Sequence, residues 1–212
     1  MDASRVVRCP DRAALAAEVA RFLHAGLAAH PGRSVALAVG ESTLPLYGGL
    51  DPSDPGWAGR TVMPVDELVP PPADPTARFS ARLAAALPAG LRSRLVPIDA
   101  GAGDDLCAVV LGLGPDGHIA FNQPPTPVDA PTRIVELAPA NLARLGPVEP
   151  AQAALTLGVA PILAAGSVLV VVDGPGKEEA LRHLLTGPEE AAWPVTWLRR
   201  HLRLTVAVLS GP

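Results

Sequence analysis

The segment at residues 108–125, AVVLGLGPDGHIAFNQPP, constrains the fold most strongly, because an apolar run passes directly into a glycine-rich polar stretch. The run at 109–111 is continuously apolar and β-branched, as is typical of a strand buried on both faces of a parallel sheet. In open α/β sheets, ligands bind at the carboxyl ends of such strands. The loop that follows is therefore predicted to be functional. Its polar side chains, all within eight residues, are Asp116, His118, Asn122 and Gln123.

Gly112, Gly114 and Gly117 also spell G-x-G-x-x-G, the fingerprint of a dinucleotide site. Such a site needs a helix that opens at the third glycine and binds the pyrophosphate with its free N–H groups. Prolines, which remove backbone donors and fix φ, follow at Pro124, Pro125, Pro127 and Pro131. No long helix can start there. Glu136 lies roughly 20 residues after the glycines, about the spacing of the acidic residue that contacts the ribose. Without the helix, however, a dinucleotide site is disfavoured.

Strand-like and helix-like segments alternate along the chain. Strands are predicted at 34–39, 61–65, 109–111, 168–172 and 204–209. Helices are predicted at 13–29, 77–87 and 177–185, the first with Asp11 as its N-cap. This order predicts an α/β fold with a doubly wound, mostly parallel sheet and helices on both faces, similar to a Rossmann fold. No repeat or linker divides the chain, so one domain over residues 1–212 is expected.

Composition narrows the class of partner. Aromatic residues make up only 3% of the 212 residues and the net charge is −4, so neither a basic face nor stacking platforms for nucleic acid are expected. Cys9 and Cys107 are too far apart in sequence to indicate a disulfide framework or a metal site. No apolar run reaches the roughly 18 residues of a membrane span, and the first residues lack the apolar core of a secretory signal. We expect a cytoplasmic enzyme or binding protein with no membrane partner.

Two of the other predicted strands end in groups that suit a phosphate. Gly40, Ser42 and Thr43 follow the first strand, where a glycine allows close approach and two hydroxyls can donate to an anion. Lys177 follows the strand at 168–172 and opens a helix, whose positive end adds to its charge. The loop is not a Walker A loop, because Glu178 stands where Ser or Thr is needed. In isolation, a lysine at such a position is more often a surface residue than a ligand contact.

Asp66 and Glu67 follow the strand predicted at 61–65, and one of the two could act as a base. Both also fit a solvated turn, and His118 also fits a structural histidine that ties down a loop. The functional interpretation is favoured because all four loops are expected on one side of the sheet, which independent structural residues have no reason to share.

The string GLGPDGHIAFNQPP resembles the signature of glucosamine-6-phosphate deaminases. The similarity continues in VDELVP, in the loop at 40–43, and in PTRIVEL, NLAR, ALTLGV and GPGK, and it covers most of the chain from residue 35 onward. The related 6-phosphogluconolactonases share GPDGH but usually continue differently. The longer match favours the deaminase and isomerase branch.

The resemblance implies a role for each matching residue. Asp66 would be the base that moves a proton between C2 and C1 of the open-chain amino sugar. His118, with Asp116 beside it, would open the pyranose ring by passing a proton to the ring oxygen. The residues implied in holding the sugar phosphate are Gly40, Ser42, Thr43, Gly117, Arg144 and Lys177. The implied partner is thus a small sugar phosphate, and neither a metal nor an organic cofactor is implied.

Two features depart from the family. Gln123 stands where deaminases carry a Glu, and a neutral amide cannot stabilise an imidazolium, so ring opening should suffer unless Asp116 supplies the charge. The segment at residues 99–106 is shorter than the corresponding segment of the family, and this alters one face of the molecule. A homo-oligomer is compatible with the sequence. Gln123 allows three interpretations: a slow deaminase, a relative with another substrate, or a binding protein without turnover. In the second case the substrate could be a lactone, hydrolysed by a water that His118 activates.

Overall fold

The computed structural model describes residues 5–30, 34–145 and 153–210, apart from the side chains of Ala140 and Arg144. Within these ranges the strands are β1 Arg5–Cys9, β2 Ser34–Leu37, β3 Val62–Pro64, β4 Asp66–Val69, β5 Leu106–Gly112, β6 Arg133–Glu136, β7 Ala153–Thr156, β8 Val168–Val172 and β9 Leu204–Leu209. The α-helices are α1 Arg12–Ala29, α2 Phe79–Ala86, α3 Ala89–Arg92, α4 Pro139–Leu145, α5 Val159–Ala164 and α6 Glu178–Thr186. None of these helices has the length and apolar character needed to cross a membrane.

Six strands form the main sheet in the order β1-β9-β8-β5-β2-β3, and every neighbouring pair is parallel. Strand β5 lies in the middle, where both of its faces are covered. Val110 packs into the core built with α1 and α2, whereas Val109 and Leu111 pack into the core built with α5 and α6. The predicted doubly wound α/β sheet with helices on both faces is therefore confirmed.

The local sequence signals predicted three of the six α-helices in the described residues, α1, α2 and α6. Helix α1 begins after Asp11, whose Oδ1 accepts a hydrogen bond of 2.8 Å from Ala14 N. Helices α2 and α6 lie where 77–87 and 177–185 were predicted, with ends that differ by one or two residues. Between residues 118 and 138, all of which are described, no helix begins, as the prolines predicted.

A second sheet was not predicted. Strands β4, β7 and β6 pair antiparallel in that order and form a small three-stranded sheet beside the main one. The prediction of a polar loop at Asp66 and Glu67 is therefore wrong, because both residues belong to β4. Asp66 pairs with Thr156 of β7, and such a distant partner leaves no signal in a four-residue segment. Strand β1, at the edge of the main sheet, was also not predicted, because it is too short to carry a periodic signal.

Candidate active site

The carboxyl ends of β2, β5 and β8 and the first residue of β4 open onto one cavity of about 560 Å³. The parallel strands end at the same edge of the main sheet, and the small sheet closes that edge from the side. The predicted site residues that line the cavity are Gly40, Ser42, Asp66, His118 and Lys177. Three of the predicted loops and Asp66, which the structure places in β4, thus share a single pocket.

Asp66 presents a carboxyl group to this cavity from a buried position, with only 8% of the residue exposed. Its Oδ1 accepts a hydrogen bond of 3.1 Å from Phe121 N, which also donates to Thr156 Oγ1 at 3.0 Å. Burial raises the pKa of Asp66 to about 7, although the hydrogen bonds with Thr156 and Phe121 N and the charge of His118 oppose the rise. A carboxylate that titrates near neutral pH suits a general base.

His118 faces the same cavity and is oriented by Asp116. The Nδ1 atom of His118 lies 2.5 Å from Asp116 Oδ1, and this leaves Nε2 for a ligand. Burial acts to raise the pKa of Asp116, but the hydrogen bond and the charge of His118 outweigh it, so the pKa lies below its ordinary value. Asp116 itself is not part of the cavity lining. It acts from behind the ring, where it can stabilise an imidazolium.

Two glycines of the G-x-G-x-x-G string, Gly114 and Gly117, help to position the His118 ring. A Cβ atom at Gly114 would lie 2.2 Å from His118 Nδ1, so the ring can occupy its position only against a glycine. Gly117 has φ +80° and packs against Trp193, while Val195 N donates to Gly117 O at 2.9 Å. The string therefore shapes the loop that presents His118.

The residues implied in phosphate binding separate into two groups. Gly40, Ser42 and Lys177 line the cavity, and Lys177 occupies the N-cap position of α6. Thr43 is fully buried and donates from Oγ1 to Ala38 O at 2.9 Å, so its hydroxyl holds the loop. Gly117 faces Trp193 instead of the cavity.

Arg144 belongs to α4, but its side chain lies outside the described residues.

Glu67, the second carboxylate of β4, has a structural partner. Its Oε1 accepts hydrogen bonds from Leu68 N at 3.0 Å and Phe79 N at 2.9 Å, and its Oε2 accepts one from Ser80 N at 2.9 Å. Glu67 thus satisfies free N–H groups at the start of α2. Of the two carboxylates considered as a base, Asp66 is the one in the cavity.

Asn122 and Gln123 point away from the cavity. Asn122 is fully buried and donates from Nδ2 to Ile119 O at 3.0 Å and to Leu157 O at 2.8 Å. The side-chain hydrogen bonds of Gln123 go to residues of and beside β6 and α4, and not to His118. The structure therefore does not place Gln123 next to the imidazole.

Two helices contribute lining residues that the sequence analysis did not name. Phe79 and Arg82 of α2 line the cavity, as do Asn141 and Leu145 of α4. The Phe79 ring stacks on Phe121 with centroids 5.9 Å apart, and the Arg82 guanidinium lies 5.8 Å from the Phe79 centroid. The spacing of Phe79 and Arg82 within a predicted helix puts them on one face, which was the available signal. Nothing in the sequence indicated which way that face points.

The cavity combines a carboxylate with a pKa near neutrality, an oriented imidazole and a lysine beside a helix start. This set can move protons on a ligand that carries an anionic group. Within the described residues, no three His, Cys, Asp or Glu side chains are grouped so that they could hold a metal ion.

Residues 76–206 match the family described as glucosamine-6-phosphate isomerases/6-phosphogluconolactonase. A glucosamine-6-phosphate deaminase from Beutenbergia cavernae is 33% identical, over 96% of this chain and 89% of the relative. The chain therefore belongs to this family. A second relative, the glucosamine-6-phosphate deaminase of Bacillus thuringiensis, is 42% identical over 46% of this chain and 39% of its own length.

Solved structures agree on the fold. A monomeric glucosamine-6-phosphate deaminase superposes with a TM-score of 0.79 at 23% identity, over 97% of each chain. The 6-phosphogluconolactonase of Trypanosoma brucei superposes with a TM-score of 0.72 at 20% identity, over 97% of this chain and 95% of that one. Both branches of the family share this architecture.

Proposed function

We propose that this protein converts a hexosamine 6-phosphate into the corresponding ketose 6-phosphate with release of ammonia. The observation that carries the proposal is the shared cavity of Asp66, His118 and Lys177, which puts a base, an acid and a cation around one ligand. The similarity to glucosamine-6-phosphate deaminases supports the choice of glucosamine 6-phosphate as substrate.

The phosphate is held at one end of the cavity. The backbone N–H and hydroxyl of Ser42 donate to its oxygens, Gly40 allows a close approach, and Lys177 supplies a positive charge beside the start of α6. A dianion gains most from charged donors and helix-end amides acting together. The other end of the sugar then extends toward Asp66 and His118.

His118 opens the pyranose ring. Its Nε2 passes a proton to the ring oxygen as the C1–O5 bond breaks, while Asp116 on Nδ1 stabilises the charged form of the ring. The C1 hydroxyl loses its proton to solvent, and the product is the open-chain aldehyde. Asp116 takes the part of the carboxylate that the family places at position 123.

Asp66 then moves a proton between two carbons. Its carboxylate takes the proton from C2, and the electron pair forms the C1=C2 double bond of an enolamine while the C1 carbonyl oxygen takes a proton from solvent. The same carboxyl group then returns its proton to C1. The resulting imine at C2 adds water and loses ammonia, which leaves a ketose phosphate. The single buried carboxyl group with a pKa of about 7 suits both proton transfers.

The test is turnover of glucosamine 6-phosphate by the purified chain, with ammonia and fructose 6-phosphate measured together. We expect both products in equal amounts from the wild type and neither from Asp66→Asn. Binding of the substrate, followed as a rise in Tm, should persist in Asp66→Asn. A wild type that gains Tm with the substrate but forms no product is a sugar-phosphate-binding protein, and the catalytic proposal is then wrong.

Hydrolysis of 6-phosphogluconolactone is the second candidate. The observation in its favour is that, within the described part of the chain, Asp116 is the one carboxylate hydrogen-bonded to His118, and this pair suffices to activate a water. Lactone hydrolysis needs no proton transfer at C2. It is therefore favoured over deamination if the wild type hydrolyses the lactone above the spontaneous rate and Asp66→Asn retains that activity.

A further inference from the structure

We infer that Gln123 is a positioning residue that fixes helix α4 as a wall of the cavity and does not act on His118. This inference rests on the proposed function, because it assigns a role in substrate binding. It differs from the expectation of a catalytic group at this position.

The side-chain amide of Gln123 makes three hydrogen bonds between β6 and α4. Its Nε2 donates to Glu136 O at 2.9 Å, and its Oε1 accepts from Ala138 N at 3.0 Å and from Asn141 Nδ2 at 2.7 Å. Two of these partners are backbone groups with fixed roles, a carbonyl acceptor and an N–H donor. The orientation of the amide is therefore determined by its surroundings.

Helix α4 brings Asn141 and Leu145 to the cavity. It is one short helix of seven residues, and its first turn is the part that Gln123 holds. Asn141 is only 7% exposed and meets both the cavity and Gln123 Oε1. Because Gln123 follows the loop that carries His118, its side chain connects the catalytic loop to this wall. Loss of that connection should loosen the binding surface and leave the imidazole in place.

A carboxylate at position 123 cannot make the same set of contacts. It can accept from Ala138 N and Asn141 Nδ2, but it has no hydrogen to donate to Glu136 O, and two acceptor oxygens would face each other. His118 Nδ1 already has Asp116 as its partner at 2.5 Å. Gln123→Glu therefore removes the contact with β6, keeps the two acceptor contacts at α4 and gives His118 nothing that it lacks.

The experiment compares Gln123→Met, which keeps the side-chain length without hydrogen bonds, with Gln123→Glu and Asp116→Asn. Amide hydrogen exchange of the segment 138–142 reports on α4, and steady-state kinetics with glucosamine 6-phosphate report on the site. For Gln123→Met we expect exchange and KM to rise about tenfold, as the loss of these hydrogen bonds implies, with kcat within about threefold and an unchanged pH profile. Gln123→Glu should move the same quantities by less. Asp116→Asn should lower kcat and alter the pH profile with no effect on exchange at 138–142.

The inference is wrong if Gln123→Met leaves exchange and KM unchanged, or if Gln123→Glu raises kcat and moves the pH profile. The first result would show that Gln123 does not hold α4, and the second that position 123 acts on His118. Amide exchange in β5 should stay at the wild-type rate in every variant, which separates a local change from poor folding. If the wild type has no turnover, the proposed function fails, but exchange at 138–142 and the binding constant of glucosamine 6-phosphate still decide the role of Gln123.

Discussion

The two sheets contribute to the cavity in different ways. The six-stranded parallel sheet ends in backbone-rich loops with Gly40, Ser42 and Lys177, which suit an anion, and in the loop that carries His118. The three-stranded antiparallel sheet contributes Asp66 from within a strand, where its carboxyl group is buried. The large sheet thus supplies open loops that suit a bound phosphate, whereas the small sheet buries Asp66 and so raises the pKa of its carboxyl group.

This difference has an energetic consequence. Loops at the end of a rigid sheet can bind a phosphate without removing their own charges from water. A carboxyl group held in a strand becomes a base with a pKa near neutrality only because its ionised form is poorly solvated, which costs stability. The small sheet should therefore show a trade between activity and stability that the large sheet does not.

The largest effect is expected from Asp66→Asn. Turnover of glucosamine 6-phosphate should fall by at least about 10³-fold, since general acid–base groups contribute about 10²–10⁴-fold and this one serves two transfers. Folding raises the pKa of Asp66 to about 7, so the ionised group opposes folding increasingly as pH rises from about 4 to 7. The variant should gain stability above pH 7, by at most about 4 kcal/mol.

Urea unfolding of both proteins at pH 5 and pH 8 measures this gain. A variant that is less stable than the wild type at pH 8 would contradict the burial argument. Glu67→Gln, the control on the same strand, removes a charge that holds α2 and should lower stability at both pH values.

Gly114→Ala tests the loop of the large sheet. The new Cβ atom would lie 2.2 Å from His118 Nδ1, so the ring must leave its place, and kcat should fall by about 10²-fold or more. Gly49→Ala is the matched control, because a Cβ atom there meets nothing within 4 Å. The comparison requires kinetics and Tm for both; equal kcat values in the two variants would show that the position of the ring is not important.

Asp116→Asn should lower kcat by about 10²-fold and leave KM within a factor of about three, because Asp116 acts on the imidazole and lies outside the cavity. The folded protein lowers the pKa of Asp116, so the carboxylate stabilises the fold above its unfolded pKa and loses this contribution as pH falls. Kinetics from pH 6 to 9 test the first claim. A change confined to KM would argue against it.

Lys177→Met should produce the smallest and most selective change. It removes the positive charge near the phosphate, so KM should rise about tenfold while kcat stays near that of the wild type. The effect should shrink at high salt, which screens the attraction in the wild type. An equal loss in kcat and kcat/KM would place Lys177 at the reacting end of the sugar.

The same contrast explains how far the sequence could predict the molecule. Helix α1 was predictable because Leu15, Val19 and Phe22 follow its period and Asp11 caps it, and all of these signals are local. The pair of Asp116 and His118 was predictable because only one residue, Gly117, separates them. The large sheet and its ligand edge follow from such local patterns.

The small sheet depends on distant partners. Asp66 meets Phe121 N from 55 residues away, and its burial arises only when β4, β6 and β7 pair. No periodicity in four-residue strands encodes that pairing. The contacts of Gln123 with Ala138 and Asn141 were hidden for the same reason, so its chemistry was visible in the sequence but its neighbours were not.

The most direct test of the account is exchange of solvent deuterium into C1 of fructose 6-phosphate, followed by NMR in D₂O with ammonium present. The account assigns this proton to Asp66 alone, so the wild type should exchange one C1 hydrogen and Asp66→Asn none, while both bind the sugar phosphate. Exchange by Asp66→Asn at the wild-type rate would contradict the role of the small sheet in catalysis.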